Sequence, residues 1–142
     1  MFKISNNTLF IEFNGEKTLI KEDDADLVFN GDLTNSILNI SCIYYGSSLN
    51  GRIKGSRSIL GSYYKLPIII SEKNRIIFFP VKNDKNVLWI NFNNIGGYEK
   101  KKNGMLIIFK NGYKKYLKIS STVFNNQLLK CSRLWLVYLT RE

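Results

Sequence analysis

Between Gly46 and Arg57 the chain reads GSSLNGRIKGSR, with three cations, three serines and three glycines in twelve residues. Glycine lets a backbone approach a ligand closely, while main-chain N–H groups and serine hydroxyls donate to phosphate oxygens. Arg52, Lys54 and Arg57 supply the charge for charge-assisted hydrogen bonds. The chemistry these types favour together is the binding of a polyanion. Read as a strand from Arg52 onward, the segment puts Arg52, Lys54 and Ser56 on one face and Ile53 and Gly55 on the other. The plainer reading of the same residues is a glycine-rich hairpin with a solvated basic face.

Other chemistries are poorly supplied. The sequence has no histidine and no HExxH, GxSxG or P-loop motif, so an enzyme is not expected. Outside residues 1–40 the acids are Glu72, Asp84, Glu99 and Glu142, which leaves little for general acid or base work. The acidic run KEDDAD, Lys21 to Asp26, reads as an acidic loop or the start of a helix; it lacks the DxDxDG spacing of a calcium loop, so a solvated turn is favoured over a metal site. As a hypothesis, it competes with a polyanion for the basic face. Cys42 and Cys131 stand far apart among apolar neighbours and read as buried free thiols of a reducing cytosol. Neither a metal nor a cofactor is expected. There is no signal peptide, and no apolar run approaches the roughly 18 residues a membrane helix needs; the expectation is a soluble, cytoplasmic protein.

The elements that must hold the basic stretch read as β structure. With 142 residues and a net charge of +10, the chain is expected to form one domain that buries roughly two-thirds of its unfolded surface. The charge is segregated. Residues 1–40 hold three Lys and seven acids, whereas residues 41–142 hold eighteen Lys or Arg and four acids. A net +14 after residue 40 favours a polyanionic partner there.

Five Asn-Gly pairs, at 14–15, 30–31, 50–51, 103–104 and 111–112, argue for antiparallel hairpins. Residues 8–13 and 17–20 form the first hairpin, and residues 27–40 a second hairpin or a short helix and strand. Strands follow at 52–60, 67–71, 75–79, 88–91, 95–101, 105–109 and 113–120. In the last of these Lys114, Tyr116 and Lys118 share a face, near Lys100 to Lys102; the two readings are contact with phosphate and sugar and lysine protecting an edge strand, and the second is favoured. No long helical periodicity precedes residue 120. From Ser120 or Ser121, a good N-cap, a helix runs to about Thr140, with Phe124, Leu128, Cys131, Trp135 and Tyr138 as its inward stripe. Leu129, Leu136 and Val137 fall outside that stripe, so the apolar tail of the helix is either buried in the fold or forms a subunit contact.

Several blocks in this order resemble the ComK family of competence transcription factors: Gly46-Ser47-Ser48 with Gly51-Arg52 and Gly55, Lys65-Leu66-Pro67-Ile68, Ile77-Phe78-Phe79-Pro80, Trp89-Ile90, Phe109-x-Asn111-Gly112 and Phe124-x-Asn126-Gln127. The resemblance runs over about residues 40 to 139. It implies a regulator that activates competence genes by binding paired AT-rich elements of double-stranded DNA, largely through the minor groove, as a homo-oligomer (dimer or tetramer). An oligomer favours the subunit contact for Leu129, Leu136 and Val137. A narrow AT minor groove concentrates negative potential and accepts arginine. Arg52 is therefore the leading groove-inserting or phosphate-binding candidate. Lys54, Arg57 and Lys65 would neutralise phosphates, and Ser47, Ser48, Asn50 and Gly51 would position the loop. Members of the family continue beyond the helix into a basic helical region linked to a proteolytic adaptor. The expectation here is a short member lacking that extension, in which the adaptor is a conditional partner and activation itself is in question.

The fold expected is mainly β (α+β): antiparallel sheets forming a partly closed barrel, similar to pleckstrin-homology domains, capped by one C-terminal helix. Its parts would be acidic hairpins over 1–40, a basic β core over 41–119 and the helix over 120–140. The alternatives are a truncated relative that binds DNA without activating, an inhibitor that pairs with a full-length relative, and a module whose basic loop binds anionic lipid or a protein. A membrane partner is not favoured, because the basic stretch carries serine, glycine and asparagine instead of large apolar anchors.

Overall fold

The computed structural model describes residues 2–61 and 64–141. Three strands come first, β1 (Thr8–Phe13), β2 (Lys17–Glu22) and β3 (Asp26–Asn30), then two helices, α1 (Thr34–Tyr44) and α2 (Leu49–Leu60). Strands β4 (Ile68–Ser71), β5 (Ile76–Asn83) and β6 (Asn86–Asn91) follow. A 3-10 turn at Phe92–Asn94 leads to β7 (Ile95–Lys101), β8 (Gly104–Phe109) and β9 (Lys114–Leu117), and the chain ends in α3 (Ser121–Thr140).

The strands divide into two antiparallel sheets, one of six strands in the order β3-β2-β1-β6-β5-β4 and one of three in the order β7-β8-β9. The expectation of antiparallel β structure with a C-terminal helix holds, but among the described residues no barrel closes. The reason is that the chain leaves the first sheet after β6 through the 3-10 turn, and β7 pairs only with β8.

Both faces of the six-stranded sheet are covered. Successive strand residues point to opposite faces, so Ile68, Ile70, Ile76 and Phe78 pack with Ile37, Leu38 and Cys42 of α1. Their neighbours Ile69, Ile77, Phe79, Val81, Leu88 and Ile90 meet Met105, Ile107, Phe109 and Leu117 of the smaller sheet and Phe124, Cys131 and Leu134 of α3. Two-sided burial explains why β4 and β5 read as the near-continuous apolar runs IIIS and IIFFPV, without alternation. The large sheet thus has α1 over one face and the small sheet with α3 over the other, while α2 packs along β4 between α1 and α3, with Leu49 and Ile53 on the first core and Ile59 on the second.

The helices α1 and α2 correct the sequence reading. The strand expected over 52–60 is the body of α2, and of the two readings of residues 27–40 the structure gives helix and strand, in the order β3 then most of α1, and not the hairpin. In α1 the buried residues are Thr34, Ile37, Leu38, Ser41 and Cys42, spaced three and four apart as a helix requires. Helix α2 starts because the Ser48 hydroxyl accepts from the Gly51 N–H at 3.0 Å, and it stops at Gly61, whose left-handed φ of 65° donates its N–H to Arg57 O. Asn50-Gly51 therefore lies in the first turn of a helix and not at a hairpin. Gly51 and Gly55 each cost a helix about 1 kcal/mol relative to alanine, so packing of Leu49, Ile53 and Ile59 against the core holds α2 in place.

Helix α3 forms where its pattern predicts. Ser120 caps it by accepting from the Val123 N–H at 3.1 Å, and Phe124, Leu128, Cys131, Trp135 and Tyr138 all pack on the core. Gln127 and Leu134 join that face as buried residues.

Candidate nucleic-acid interface

The glycine-serine-arginine stretch is a helix, a short turn and a second helix. Gly46, with φ of 96°, breaks α1, and the Ser47 N–H donates to Cys42 O at 2.9 Å to close its last turn. Leu49 N–H donates to the Asn39 side chain at 3.0 Å, which fixes the approach of α2 to α1. A Cβ on Gly51 would lie 3.1 Å from the Ser48 hydroxyl and 3.3 Å from that of Ser47, so glycine there lets the capping serines fold over the first turn. The backbone of this stretch is therefore shaped by helix capping.

Helical geometry also redistributes the side chains, and the strand-face grouping of Arg52, Lys54 and Ser56 does not hold. Residues 52 and 56 lie about 40° apart around a helix and 54 lies nearly opposite. Ser56 is buried, whereas Asn50, Gly51, Lys54 and Ser58 are exposed along the outer face of α2. The Arg52 side chain is only 13% exposed and donates from Nη1 to Glu72 Oε1 at 3.0 Å. The guanidinium is thus turned toward the β4–β5 turn. Gly55 faces α3, where a Cβ would stand 2.8 Å from the Tyr138 hydroxyl.

Arg57 and Lys65 lie together elsewhere, on the wall of a cleft of about 290 Å³. Leu49 and Ile53 of α2 and Trp89 of β6 line the same cleft. Lys65 has a left-handed φ of 49°, and its carbonyl accepts from Gln127 Nε2 at 3.1 Å. The same amide donates to Pro80 O at 2.6 Å. The eight binding candidates therefore fall into three groups. Asn50, Gly51 and Lys54 face outward beside the capping pair Ser47 and Ser48, Arg52 faces Glu72, and Arg57 with Lys65 flanks the cleft.

On α3, Leu129 is 67% and Leu136 is 62% exposed, while Val137 is half-buried. Leu129 borders a groove of about 720 Å³ whose other walls include Phe92, Ile95 and Tyr98.

Both cysteines are buried and free, and burial pushes the Cys42 thiol up to about 11 and the Cys131 thiol higher still. Neither is a thiolate nucleophile at neutral pH. Among the described residues no three His, Cys, Asp or Glu side chains come together to hold a metal. No helix among them is long and apolar enough to cross a membrane. Glu142 lies outside the described residues.

The acidic turn after β2 packs on the β8–β9 turn. Lys21 pairs with Asp26 at 2.7 Å and lies 4.4 Å from the centre of the Tyr113 ring, and Asn111 Nδ2 donates to Asp23 O at 3.3 Å. The sequence signal that could have exposed α1 and α2 is the spacing Thr34, Ile37, Leu38, Ser41, Cys42 and then Leu49, Ile53, Ser56, Leu60. Two buried hydroxyl residues in the first series and a buried serine in the second weaken it.

A family model described as ComK protein matches residues 1–142. No curated protein matches the chain. Among solved structures, the LytTr DNA-binding domain of a Bacillus cereus response regulator is similar at 11% identity, over 87% of this chain and 81% of that one, with a TM-score of 0.42. A likeness that distant carries no argument.

Proposed function

The chain belongs to the ComK family, and we propose that it is a DNA-binding transcriptional regulator and not an enzyme. The observation that carries this reading is the family match over the whole sequence. The segregated charge agrees with it, since residues 41–142 hold eighteen Lys or Arg against four acids.

The finer proposal is that it binds paired AT-rich sites of competence genes as a homo-oligomer, mainly through the minor groove, in the cytoplasm at the nucleoid. Asn50 and Lys54, on the outer face of α2, make the first contacts beside the turn of Ser47, Ser48 and Gly51. Arg57 and Lys65 add positive potential from the cleft. Arg52 reaches DNA by exchanging Glu72 for a phosphate or a groove edge. Leu129, Leu136 and Val137 of α3 supply the subunit contact.

The test is a gel shift with paired AT-rich sites against a GC-rich duplex of equal length. Preferential binding of the AT-rich duplex is expected. With about six phosphates neutralised, log affinity should fall against log salt with a slope of about −5. Equal binding of both duplexes rejects the selective reading, and binding of neither rejects DNA as the partner.

A further inference from the structure

The outward face of the three-stranded sheet carries a second concentration of cations, on elements other than α2. Register defines this face. Tyr98 pairs with the buried Ile107 and Lys100 with the buried Met105, so Gly97, Glu99 and Lys101 point outward from β7. Leu106 pairs with Tyr116 and Ile108 with Lys114, which places Leu106, Ile108, Lys114, Tyr116 and Lys118 on the same outward side. Leu117, between Tyr116 and Lys118, is fully buried.

The hairpin tips bring more charge to one end of this face. Lys118 follows Leu117, the partner of Met105, and so arrives beside Gly104 and the exposed Lys101 and Lys102. The backbone N–H of Lys118 also donates to Asn83 Oδ1 at 2.8 Å, which docks the β5–β6 tip, with its exposed Lys82 and Lys85, against the same end. Glu99 is the acid of the face. It pairs with Lys101 at 3.0 Å, and its carboxyl is held below the usual range by its hydrogen bond to Lys101, by the Lys101 charge and, more weakly, by Lys114. Lys101 and Lys114 thus act on one electrostatic site.

Edge protection explains a lysine or two on β9. It does not explain lysines on both edge strands and two neighbouring tips, where the acids are Glu99 on the face and Asp84 in the β5–β6 tip. We propose that this face is a second nucleic-acid surface, which lies on the sugar-phosphate backbone of duplex DNA without reading sequence. From Lys114, which opens β9, to Lys118, the residue after its end, four steps of extended chain span about 13 Å, comparable with the ~12 Å width of a major groove, so the two lysines take phosphates on its two sides. Tyr116 between them donates to backbone oxygens. A membrane fits less well, because the apolar residues here, Leu106 and Ile108, are half-buried and offer no large exposed anchor. The inference rests on the proposed DNA-binding function. It adds a contact surface on the small sheet to the one proposed on α2.

The experiment compares wild type with the triple variant Lys101→Gln, Lys114→Gln, Lys118→Gln and with Lys54→Gln. Binding to the paired AT-rich and the GC-rich duplex is followed by fluorescence anisotropy over a salt series. All four lysines are exposed, so thermal midpoints should match. The triple variant should show a log-log salt slope shallower by about 2 to 3, an equal loss of affinity on both duplexes and an unchanged ratio between them. An unchanged slope in the triple variant, while Lys54→Gln still weakens binding, overturns this inference and spares the DNA-binding function. Absence of duplex binding by wild type overturns both. Loss confined to vesicles of mixed phosphatidylcholine and phosphatidylserine reassigns the face to lipid and also overturns it.

Discussion

Arg52 and Glu72, twenty residues apart in sequence, meet across 3.0 Å and join α2 to the turn between β4 and β5. The cation that the sequence offers most directly to DNA is therefore held by one of the chain's few acids outside its first forty residues. Glu72 is half exposed, so the pair contributes about 0.5–1 kcal/mol. Glu72→Gln should lower stability by no more than that and raise duplex affinity about two- to fivefold, because the competitor for the guanidinium is gone. Anisotropy on the AT-rich duplex checks it. A Glu72→Gln protein with unaltered affinity makes Arg52 a structural tie alone.

Gln127 supports the same region from behind. The residue is 3% exposed, and its side-chain amide donates to the carbonyls of Pro80 and Lys65, so one group on α3 satisfies an acceptor in β5 and another in the segment leading into β4. Gln127→Leu keeps the volume and removes both donors, and should cost about 2–3 kcal/mol. Urea unfolding should show a lower midpoint at unchanged slope. A loss below 0.5 kcal/mol would mean that water replaces the amide.

The parts of the fold legible in the sequence are those with local causes. Asn14-Gly15 turns β1 into β2 because Gly15 takes a φ of 94° while the Asn14 side chain accepts from the N–H groups of Glu16 and Lys17. Ser120 and the stripe from Phe124 to Tyr138 specify α3 by capping and by period. Helices α1 and α2 were illegible because their inner faces include Thr34, Ser41 and Ser56. Ser41 is buried only because its hydroxyl accepts from the Ile4 N–H at 2.9 Å, a partner thirty-seven residues away. The division into two sheets depends on β1 pairing with β6, a contact with no local signature. At the site, the types of Arg52, Lys54 and Arg57 were readable as charge. Their separation onto three surfaces follows from the helical period and from Glu72, and neither was visible without the fold.

Glu12 couples the two sheets. Lying in β1 and 6% exposed, it accepts from Lys115 of β9 at 3.1 Å and from Asn86 Nδ2 at 3.0 Å. Removing one partner strands a buried charge, so Lys115→Met should cost about 3 kcal/mol. The double variant Glu12→Gln with Lys115→Met should recover a large part of that loss. A double-mutant cycle by chemical denaturation measures the coupling, expected at about 1–3 kcal/mol. Additive losses would show that the two sheets are held by their apolar faces alone.

Glu22, paired in register with Thr8 at the end of β2, gives the chain a pH-dependent stability of definite sign. Burial raises its carboxyl above the ordinary value; the hydrogen bond with Thr8 opposes the shift, and the charges of Asp23 and Asp24 add to it. Oε2 is buried without a hydrogen-bond partner. A carboxyl whose pKa is higher folded than unfolded binds its proton more tightly in the folded state. Its favourable contribution is therefore complete below the unfolded value, about 4.3, and is lost as pH rises through the folded value. At neutral pH the carboxylate opposes folding. Glu22→Gln should then raise the thermal midpoint at pH 7, and the advantage over wild type should shrink as pH falls through the carboxylate range. Thermal unfolding of both proteins from pH 3 to pH 8 checks this. A midpoint difference that stays constant with pH, or that favours wild type at pH 7, would show that the carboxylate finds compensation in the acidic turn.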